Sequence, residues 1–293
     1  MVLTFYSKKA FTLVELLVVI AIIGLLSTIV LISTSGLREQ AEIAKTLTWA
    51  RSIDSTLGAD AVGIWNMDEN PASQGTVIKD MSGWGNDGTL STGETGVNKS
   101  VAGVVGQAIS FDGVDDYIDL PSSAILRLGN EGTIAIWVKA NSFSQDYNIM
   151  YTSTGGADID KAPYIYCSPD GKLNAYLGGA ARQGIPSDIY LSIGQWYLVL
   201  FTWDGSNVSL YANMDYYTIP QTVINQFTGN FRIGRYNPVT PERIWDGLID
   251  EVRIYNQALT ASQIQSQYYA GLNKLLAKGL IDEIEYQERL VLK

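Results

Sequence analysis

An uncharged run from Leu16 to Leu37 constrains this chain more than any other feature of its sequence. An α-helix of that length is long enough to cross the hydrocarbon core of a bilayer. Lys8 and Lys9 precede the run, so the positive-inside rule predicts a cytoplasmic N-terminus and export of the rest of the chain. An ordinary cleaved signal peptide has a shorter apolar core, followed by small residues that mark a cut. The run therefore predicts a membrane-spanning helix.

Immediately before this run stands one acidic side chain, Glu15. A carboxylate inside a membrane-spanning helix costs about 3 kcal/mol on insertion scales. A plain signal-anchor helix explains the hydrophobicity and the orientation of the segment, but it gives no role to Glu15. The acid therefore indicates a helix that does more than anchor the chain.

The stretch KKAFTLVELLVVIAIIGLLSTIVLIS resembles the class III signal and N-terminal helix of type IV pilins. The resemblance implies that a prepilin peptidase cuts between Ala10 and Phe11 and that the new amine of Phe11 is methylated. It further implies that Glu15 pairs with the Phe11 amine of a neighbouring subunit when the helices assemble into a fibre. The two charges, each costly in lipid, would then neutralise each other. A signal anchor with an accidental acid is the alternative.

The helix is predicted to continue past the membrane, because apolar residues recur at three- to seven-residue intervals as far as Leu57. Gly58 follows this stripe and predicts its end. The resemblance to pilins implies a leader peptide over residues 1–10. With this apolar stripe, we predict a pilin-type helix, spanning the membrane and forming the fibre core, over residues 11–58.

The composition excludes several kinds of site. The 293 residues include no histidine, which rules out His-based triads and His zinc sites. Cys167 is the only cysteine, so no intrachain disulfide can form, and we predict that it is a small strand residue. A net charge of −10 argues against nucleic acid as a partner of the globular domain but is compatible with divalent cations.

After Gly58, short alternating or aromatic runs are separated by Gly, Asn, Asp and Ser, which predicts an antiparallel β-sandwich. The ordered motifs GIWNMDEN, DMSGWGNDGTL, GQAISFDGVDDYIDLP, GTIAIWVKA and WDGLIDEVRIYNQALTASQI resemble LamG-like domains, which share the jelly roll of the concanavalin A-like lectins and glucanases. The sandwich is predicted over residues 59–271. The predicted fold class is α+β: a long N-terminal transmembrane helix, the jelly roll, and a short C-terminal helical hairpin over residues 272–293.

Two capping patterns mark the C-terminal region. The capping box TASQ predicts a short helix from Thr260 to about Tyr269. The stretch LNKLLAKGLIDEIEYQERLVL indicates two short amphipathic helices hinged at Gly279, and Asp282 with Glu285 forms the second capping pattern. This end resembles the short SHOCT-like helical module of many bacterial proteins, with a frayed tail as the alternative.

Calcium is a hard cation that takes six to eight oxygen ligands, and the loop DMSGWGND offers several. The LamG-like resemblance implies a calcium ion between this loop and the acid of the closing strand. The side chains implied as ligands are Asp68, Glu69, Asp80, Asn86, Asp87 and Asp250. Alternatively, these residues are turn formers and structural hydrogen-bonding groups. The stretch FDGVDDY, with Asp112, Asp115 and Asp116, is a rival acid cluster that we interpret as a solvated turn.

Sugar binding uses aromatic faces stacked on pyranose rings, and the chain has 17 tyrosines and 7 tryptophans. The candidates for such a role are Trp84, Tyr147, Tyr216, Tyr217 and Tyr236. Packing on a strand face is the alternative for each tyrosine. Trp137 and Trp203 lie in the middle of predicted strands, so we assign them to the core.

We predict no catalytic residue, and the chain is interpreted as a protein other than an enzyme. Glucanases of this fold class use an E-x-D-x-x-E pattern on one strand, whereas WDGLIDEVR carries Asp246, Asp250 and Glu251 at other spacings. A glycoside hydrolase is therefore the weakest of the functional hypotheses.

The preferred hypothesis is a type IV pilin or pilin-like subunit that displays a lectin-like domain for adhesion. Its expected partners are other copies of the chain, the prepilin peptidase, the pilus or secretion assembly machinery, and a glycan. It would lie in the inner membrane before assembly and in a surface pilus afterwards. A pseudopilin of a type II secretion or DNA-uptake machine is the alternative, which the N-terminal motif does not separate from a pilin.

Overall fold

The computed structural model of the protein describes residues 13–14, 16–23, 57, 60–144, 147–153, 163–178, 183–223, 230–236 and 243–291. These residues belong to two compact units, Met1–Trp49 and Ala50–Lys293. In the first unit, residues 13–14 and 16–23 are helical and their side chains are exposed. Among the described helices, none is long and apolar enough to cross a membrane. Ala10, Phe11, Glu15 and most of the helix predicted over residues 11–58 lie outside the described residues.

The second unit is built from β-strands. In chain order, those that the structure describes are β1 (Ala61–Trp65), β2 (Val77–Ile78), β3 (Gly88–Ser91), β4 (Ser100–Ala102), β5 (Gln107–Asp112), β6 (Tyr117–Asp119), β7 (Glu131–Ala140), β8 (Tyr147–Ser153), β9 (Tyr164–Cys167), β10 (Leu173–Leu177), β11 (Gln183–Ile185), β12 (Trp196–Asp204), β13 (Asn207–Ala212), β14 (Asp215–Pro220), β15 (Asn230–Ile233) and β16 (Asp246–Tyr255). A short 3-10 helix, Ala124–Leu126, lies between β6 and β7.

These strands form two antiparallel sheets. Sheet 1 has the order β14-β13-β12-β7-β16-β5-β4, and β1 pairs with the C-terminal part of β16. Sheet 2 has the order β11-β10-β9-β8-β15-β6-β3-β2. The predicted antiparallel sandwich is confirmed, and its two sheets are consistent with a jelly roll.

The central strands of sheet 1 are buried on both faces, as β7 shows. Ile134, Ile136 and Val138 point into the core between the sheets, which also holds Trp203 and Cys167. The intervening Ala135 and Trp137 belong to a second apolar cluster on the outer face of sheet 1. Successive side chains of a strand point to opposite faces, so the uninterrupted apolar run of β7 indicates two packed faces. The predicted burial of both tryptophans and of the cysteine is confirmed.

The outer face of sheet 1 is covered by two helices, α1 (Ala261–Ala277) and α2 (Glu283–Val291). The capping box between Thr260 and Gln263 forms as predicted, but α1 continues to Ala277 instead of ending near Tyr269. Gly279 follows with a φ of +66°, a conformation that favours glycine, and allows the turn into α2.

Close packing and hydrogen bonds hold the helices to the sheet. The ring of Trp137 stacks on Tyr268 at a centroid distance of 6.2 Å. A Cβ atom on Gly271 would lie 2.1 Å from Cζ2 of Trp137, so only glycine fits at this point of α1. From α2, Nη1 of Arg289 donates a hydrogen bond of 2.9 Å to the carbonyl of Trp196. The C-terminal residues that the structure describes are therefore packed against the outer face of sheet 1.

Candidate functional site

The outer face of sheet 2 carries a cluster of aromatic rings. In β9, Ile165 and Cys167 point into the core, so Tyr164 and Tyr166 lie on the opposite face. The same alternation in β10 places Tyr176 beside them. We call the outward-facing Tyr164, Tyr166 and Tyr176, together with Tyr236 after β15, the tyrosine face.

The four rings contact one another. The ring centroids of Tyr164 and Tyr176 are 4.8 Å apart, and those of Tyr166 and Tyr176 are 6.0 Å apart, both pairs being stacked. Tyr236 meets Tyr164 edge to face at 6.4 Å. Tyr164 is buried by its neighbours, whereas the other three rings are half-buried. Half-exposed stacked rings offer a flat apolar surface with polar edges.

A shallow cavity of about 200 Å³ lies on this face. Tyr166, Tyr176 and Asn174 contribute to its lining, together with Gly184 of the neighbouring strand. A Cβ atom on Gly184 would lie 2.9 Å from Cε1 of Tyr176, so the glycine leaves the space that the ring occupies. Aromatic walls with a few polar groups are typical of small-ligand sites.

The predicted sugar-binding residues lie in three places. Tyr236 belongs to the tyrosine face, and Tyr147 lies in β8 of the same sheet, although its side chain is outside the described residues. Trp84 is 58% exposed in the loop before β3. Tyr216 and Tyr217 lie on β14 at the edge of sheet 1, where they line a different cavity of about 290 Å³. Sequence reasoning missed the other three tyrosines, although Tyr–x–Tyr in β9 was a signal.

The acids of the loop after β2 are turned onto backbone groups and one lysine. Oδ1 of Asp80 accepts hydrogen bonds from the N–H groups of Ile64 and Ser82, and Oδ2 accepts one from Asn86 at 2.8 Å. Asp87 lies 2.6 Å from the ammonium of Lys79, and this hydrogen bond lowers the pKa of the Asp87 carboxyl.

Asp250 and Asp68 hold another turn, which connects β4 to β5. Asp250 is fully buried and accepts hydrogen bonds from the N–H groups of Val105, at 3.0 Å, and Glu251, at 2.7 Å. Burial raises the pKa of the Asp250 carboxyl, although these donors oppose the shift. Asp68 accepts from the N–H of Gln107 at 2.7 Å.

The implied calcium ligands are thus divided between two turns. Oε1 of Glu69 accepts a hydrogen bond from the backbone of Lys79, and its Oε2 is buried with no hydrogen-bond partner among the described residues. Asn86 is buried and its side-chain amide donates to the carbonyl of Val62. No three of these acids bring their carboxylate oxygens within 4.8 Å of one another. The group of three acids that meets this distance in the described part of the chain consists of other residues.

That group is Asp112, Asp115 and Asp116, whose carboxylate oxygens lie within 4.8 Å of one another. Lys99 provides a positive charge there, with its ammonium 2.8 Å from Asp116 and 3.2 Å from Asp112. Asp112 is exposed, but Asp116 is fully buried. The interpretation of this stretch as a solvated turn is therefore wrong for Asp116, because the buried lysine draws its carboxylate inward. Burial raises the pKa of Asp116 to about 6.

Acidification should stabilise the sandwich through Asp116. Between about pH 4 and pH 6 the folded state holds a proton that the unfolded chain has released, so the free energy of unfolding falls as the pH rises through this window, by about 1–3 kcal/mol. Asp116→Asn should remove this slope when urea midpoints are compared at the two ends of the window, whereas Asp115→Asn should keep it. An unchanged slope in Asp116→Asn would contradict the assignment.

The acids near the end of the chain also have structural partners. Asp246 accepts a hydrogen bond of 2.7 Å from the hydroxyl of Ser142, and Glu251 forms a 2.6 Å ion pair with Arg253. Glu251 has a φ of +50° and lies where the register of β16 shifts. Together with the buried Asp250, these acids make structural hydrogen bonds and an ion pair that hold β16, the closing strand of sheet 1, in place.

Two families match the chain. The family described as "Concanavalin A-like lectin/glucanases superfamily" matches residues 112–265, and the "Prokaryotic N-terminal methylation motif" matches residues 6–31. No curated protein matches the chain.

Several solved structures share the fold. Domain 4 of AbnA, a GH43 extracellular arabinanase from Geobacillus stearothermophilus in complex with arabinotriose, is 22% identical with a TM-score of 0.56, over 71% of this chain and 97% of that one. The binding domain of Paraclostridial Mosquitocidal Protein 1 is 16% identical with a TM-score of 0.57, over 74% and 53%. Trypanosoma rangeli sialidase is 15% identical with a TM-score of 0.51, over 72% and 33%.

At these identities the solved structures show the fold alone. The family matches carry more, because one of them spans over half of the chain and both agree with the resemblances drawn from the sequence. The chain therefore belongs to the concanavalin A-like lectin/glucanases superfamily and carries a prokaryotic N-terminal methylation motif.

Proposed function

We propose that this protein is a type IV pilin or pilin-like subunit that displays a glycan-binding β-sandwich on a surface filament. The observation that carries the proposal is the joining of a methylation motif, at residues 6–31, to a lectin-like domain in one chain. The motif supplies the assembly half of the function, and the tyrosine face supplies the binding half.

Assembly would begin when the prepilin peptidase cuts the leader from the membrane-inserted chain between Ala10 and Phe11. Methylated Phe11 would keep a positive amine, which pairs with Glu15 of an adjacent subunit. The pairing fixes the register of each incoming helix, because an unpaired Glu15 in an apolar fibre core would be strongly unfavourable. The chain would thus pass from the inner membrane into a filament.

Glycan binding would use the tyrosine face. Its stacked rings can lie against a sugar ring, and the polar rim of the 200 Å³ cavity can bind hydroxyl groups. The structural likeness to an arabinanase domain in complex with arabinotriose supports this use of the fold. The domain would then act as a binding module without catalysis.

Removal of the aromatic surface tests the binding half. We expect Tyr166→Ala combined with Tyr176→Ala to weaken glycan binding at least about 10-fold, because stacked aromatic contacts of this kind supply much of the affinity. The measurement is binding of the full-length protein to an array of neutral and acidic oligosaccharides, in a polyoxyethylene detergent that carries no sugar. Tyr216→Ala, which removes a 64% exposed ring on sheet 1, is the matched control. Equal losses in both variants would contradict the proposed site.

A pseudopilin remains the second candidate, since the methylation motif serves both kinds of filament. The location of the protein separates them. A surface pilin should be recovered in sheared extracellular fibres, whereas a pseudopilin should stay in the cell envelope.

We also propose that calcium binds the loop after β2. The buried Oε2 of Glu69, which has no hydrogen-bond partner among the described residues, supports this because a cation would satisfy it. Glu69 precedes β2 but reaches this loop, since its Oε1 accepts a hydrogen bond from the backbone of Lys79. Asp80, Asn86 and Asp87 lie in the loop itself, and Asp68 and Asp250 would join them only after rearrangement. Millimolar calcium should raise the melting temperature of the full-length protein, and EDTA should lower it. Identical melting temperatures in both would refute calcium binding.

A further inference from the structure

Three arginines gather beside the tyrosine face of a protein whose net charge is −10. Arg232 lies in β15, and Arg235 follows that strand. An isolated β-bridge pairs Arg235 with Ile244 and so brings the preceding residue, Arg243, close to them. We call these three residues the arginine cluster. Positive charge concentrated at one place on an acidic protein attracts negatively charged ligands or partners to that place.

The cluster is continuous with the tyrosine face. The guanidinium of Arg243 lies 5.0 Å from the ring centroid of Tyr236, which itself contacts Tyr164. On the other side, the guanidinium groups of Arg232 and Arg235 lie 4.7 Å and 5.2 Å from the centroid of one ring, that of Tyr117. Arg243 therefore adjoins the tyrosine face directly. Arg232 and Arg235 meet around Tyr117, which lies on the same outer side of sheet 2, and Arg235 immediately precedes Tyr236 in the chain.

The register of the strands explains why Arg232 is held on this surface. Arg232 pairs with Asp119 of β6 in the sheet, and its Nε donates a hydrogen bond of 2.6 Å to that carboxylate. Phe231 and Ile233 on either side point into the core, so Arg232 lies on the outer face. Asp119 accounts for only one edge of the guanidinium.

Two nitrogen atoms of the cluster are left over. Nη1 of Arg232, a residue only 7% exposed, and Nε of Arg235 are both buried without a hydrogen-bond partner among the residues that the structure describes. Buried donors without acceptors are unfavourable, and a ligand that supplies an acceptor relieves this cost. An anionic acceptor gains most, because a guanidinium group can donate two parallel hydrogen bonds to a pair of oxygens of a carboxylate or a sulfate.

We propose that the ligand of the tyrosine face is an acidic glycan, whose carboxylate or sulfate group is bound by the arginine cluster while its sugar rings stack on the tyrosines. This inference rests on the proposed glycan binding and specifies its chemical class. Neutral sugars can use the rings alone. The negative group supplies the acceptor that Arg232 and Arg235 lack.

Matched pairs of sugars test the inference on the full-length protein in a sugar-free detergent. The probes are trigalacturonate with its methyl ester, and a heparin-derived tetrasaccharide with its desulfated form. We expect at least one acidic probe to bind about 10-fold more tightly than its neutral counterpart, with a preference that declines as salt is added. The first pair reports a carboxylate and the second a sulfate.

Arg235→Gln should abolish that preference while the affinity for the neutral counterpart stays unchanged, and Arg243→Gln should reduce it. Arg127→Gln removes the same charge from an exposed position after the 3-10 helix and should have no effect. Equal binding of acidic and neutral probes, or an undiminished preference in Arg235→Gln, overturns this inference and leaves glycan binding intact. Failure to bind any sugar on the array overturns the proposed function, and this inference with it.

Discussion

Glu15→Ala should leave cells without filaments although the protein is made, processed and folded. The substitution removes the acid that is proposed to pair with the Phe11 amine of the adjacent subunit. That amine would then be buried in an apolar fibre core with no partner, and breaking one half of a buried pair costs about 3–5 kcal/mol. Because the same contact repeats at every subunit, assembly should fail outright. Electron microscopy of sheared fibres, with immunoblots of the membrane fraction, measures the outcome.

Glu39→Ala is the matched control, since it removes an acid that follows the apolar run. We expect normal filaments from this variant. Filaments of normal number and length from Glu15→Ala would remove the assembly role of Glu15, whatever the state of the β-sandwich.

Trp137→Ala should lower the free energy of unfolding by about 3–5 kcal/mol, as expected for a tryptophan in a closed core. Trp137 lies on the outer face of sheet 1, where an isolated sandwich would expose it to water. Here α1 covers the ring, which is 4% exposed and stacked on Tyr268. Urea denaturation of the full-length protein in detergent measures the loss. A loss below about 1 kcal/mol would mean that α1 does not cover the sheet.

Gly271 supplies a control for the same contact. Alanine normally stabilises a helix relative to glycine by about 1 kcal/mol, but a Cβ atom here would overlap the ring of Trp137. Gly271→Ala should therefore destabilise the protein by about 1–3 kcal/mol. In a Trp137→Leu background the overlap is gone, so the same substitution should become neutral or stabilising. Stabilisation in the wild-type background would contradict the docking of α1.

The sandwich could be predicted from the sequence because its strands carry local signals. Alternation in β10 and β13, the turns SPDG and WDGSN, and the capping box at Thr260 are each read within a few residues. β7 also carries a continuous apolar run, which is the pattern of a strand buried on both faces, although from the sequence we assigned Trp137 only to the core. The helix that covers the outer face of β7 could not be predicted, since contact between Trp137 and Gly271 depends on how α1 returns to the sheet.

The candidate site was harder to predict, because strand order brings its residues together. Tyr164 and Tyr176 meet only because β9 pairs with β10, and Arg232 lies on the same sheet because β15 pairs with β8.

The roles of the acidic residues were hard to predict for a different reason. The sequence does not distinguish an aspartate that binds an ion from one such as Asp80, which accepts hydrogen bonds from three backbone N–H groups.

The two faces of the sandwich have different uses in this account. The outer face of sheet 1 is covered by α1 and α2, whereas sheet 2 presents its tyrosines and arginines on the outside. A domain with one covered and one functional face suits display on a filament. The proposed binding would therefore depend on sheet 2, and the proposed assembly would depend on a processed N-terminus.

Mass spectrometry of the mature N-terminus tests the central claim most directly. The account predicts that the protein recovered from filaments begins at Phe11 and carries a methyl group on its α-amine. A mature chain that begins at Met1 or at any other residue, or an unmodified Phe11, would contradict it.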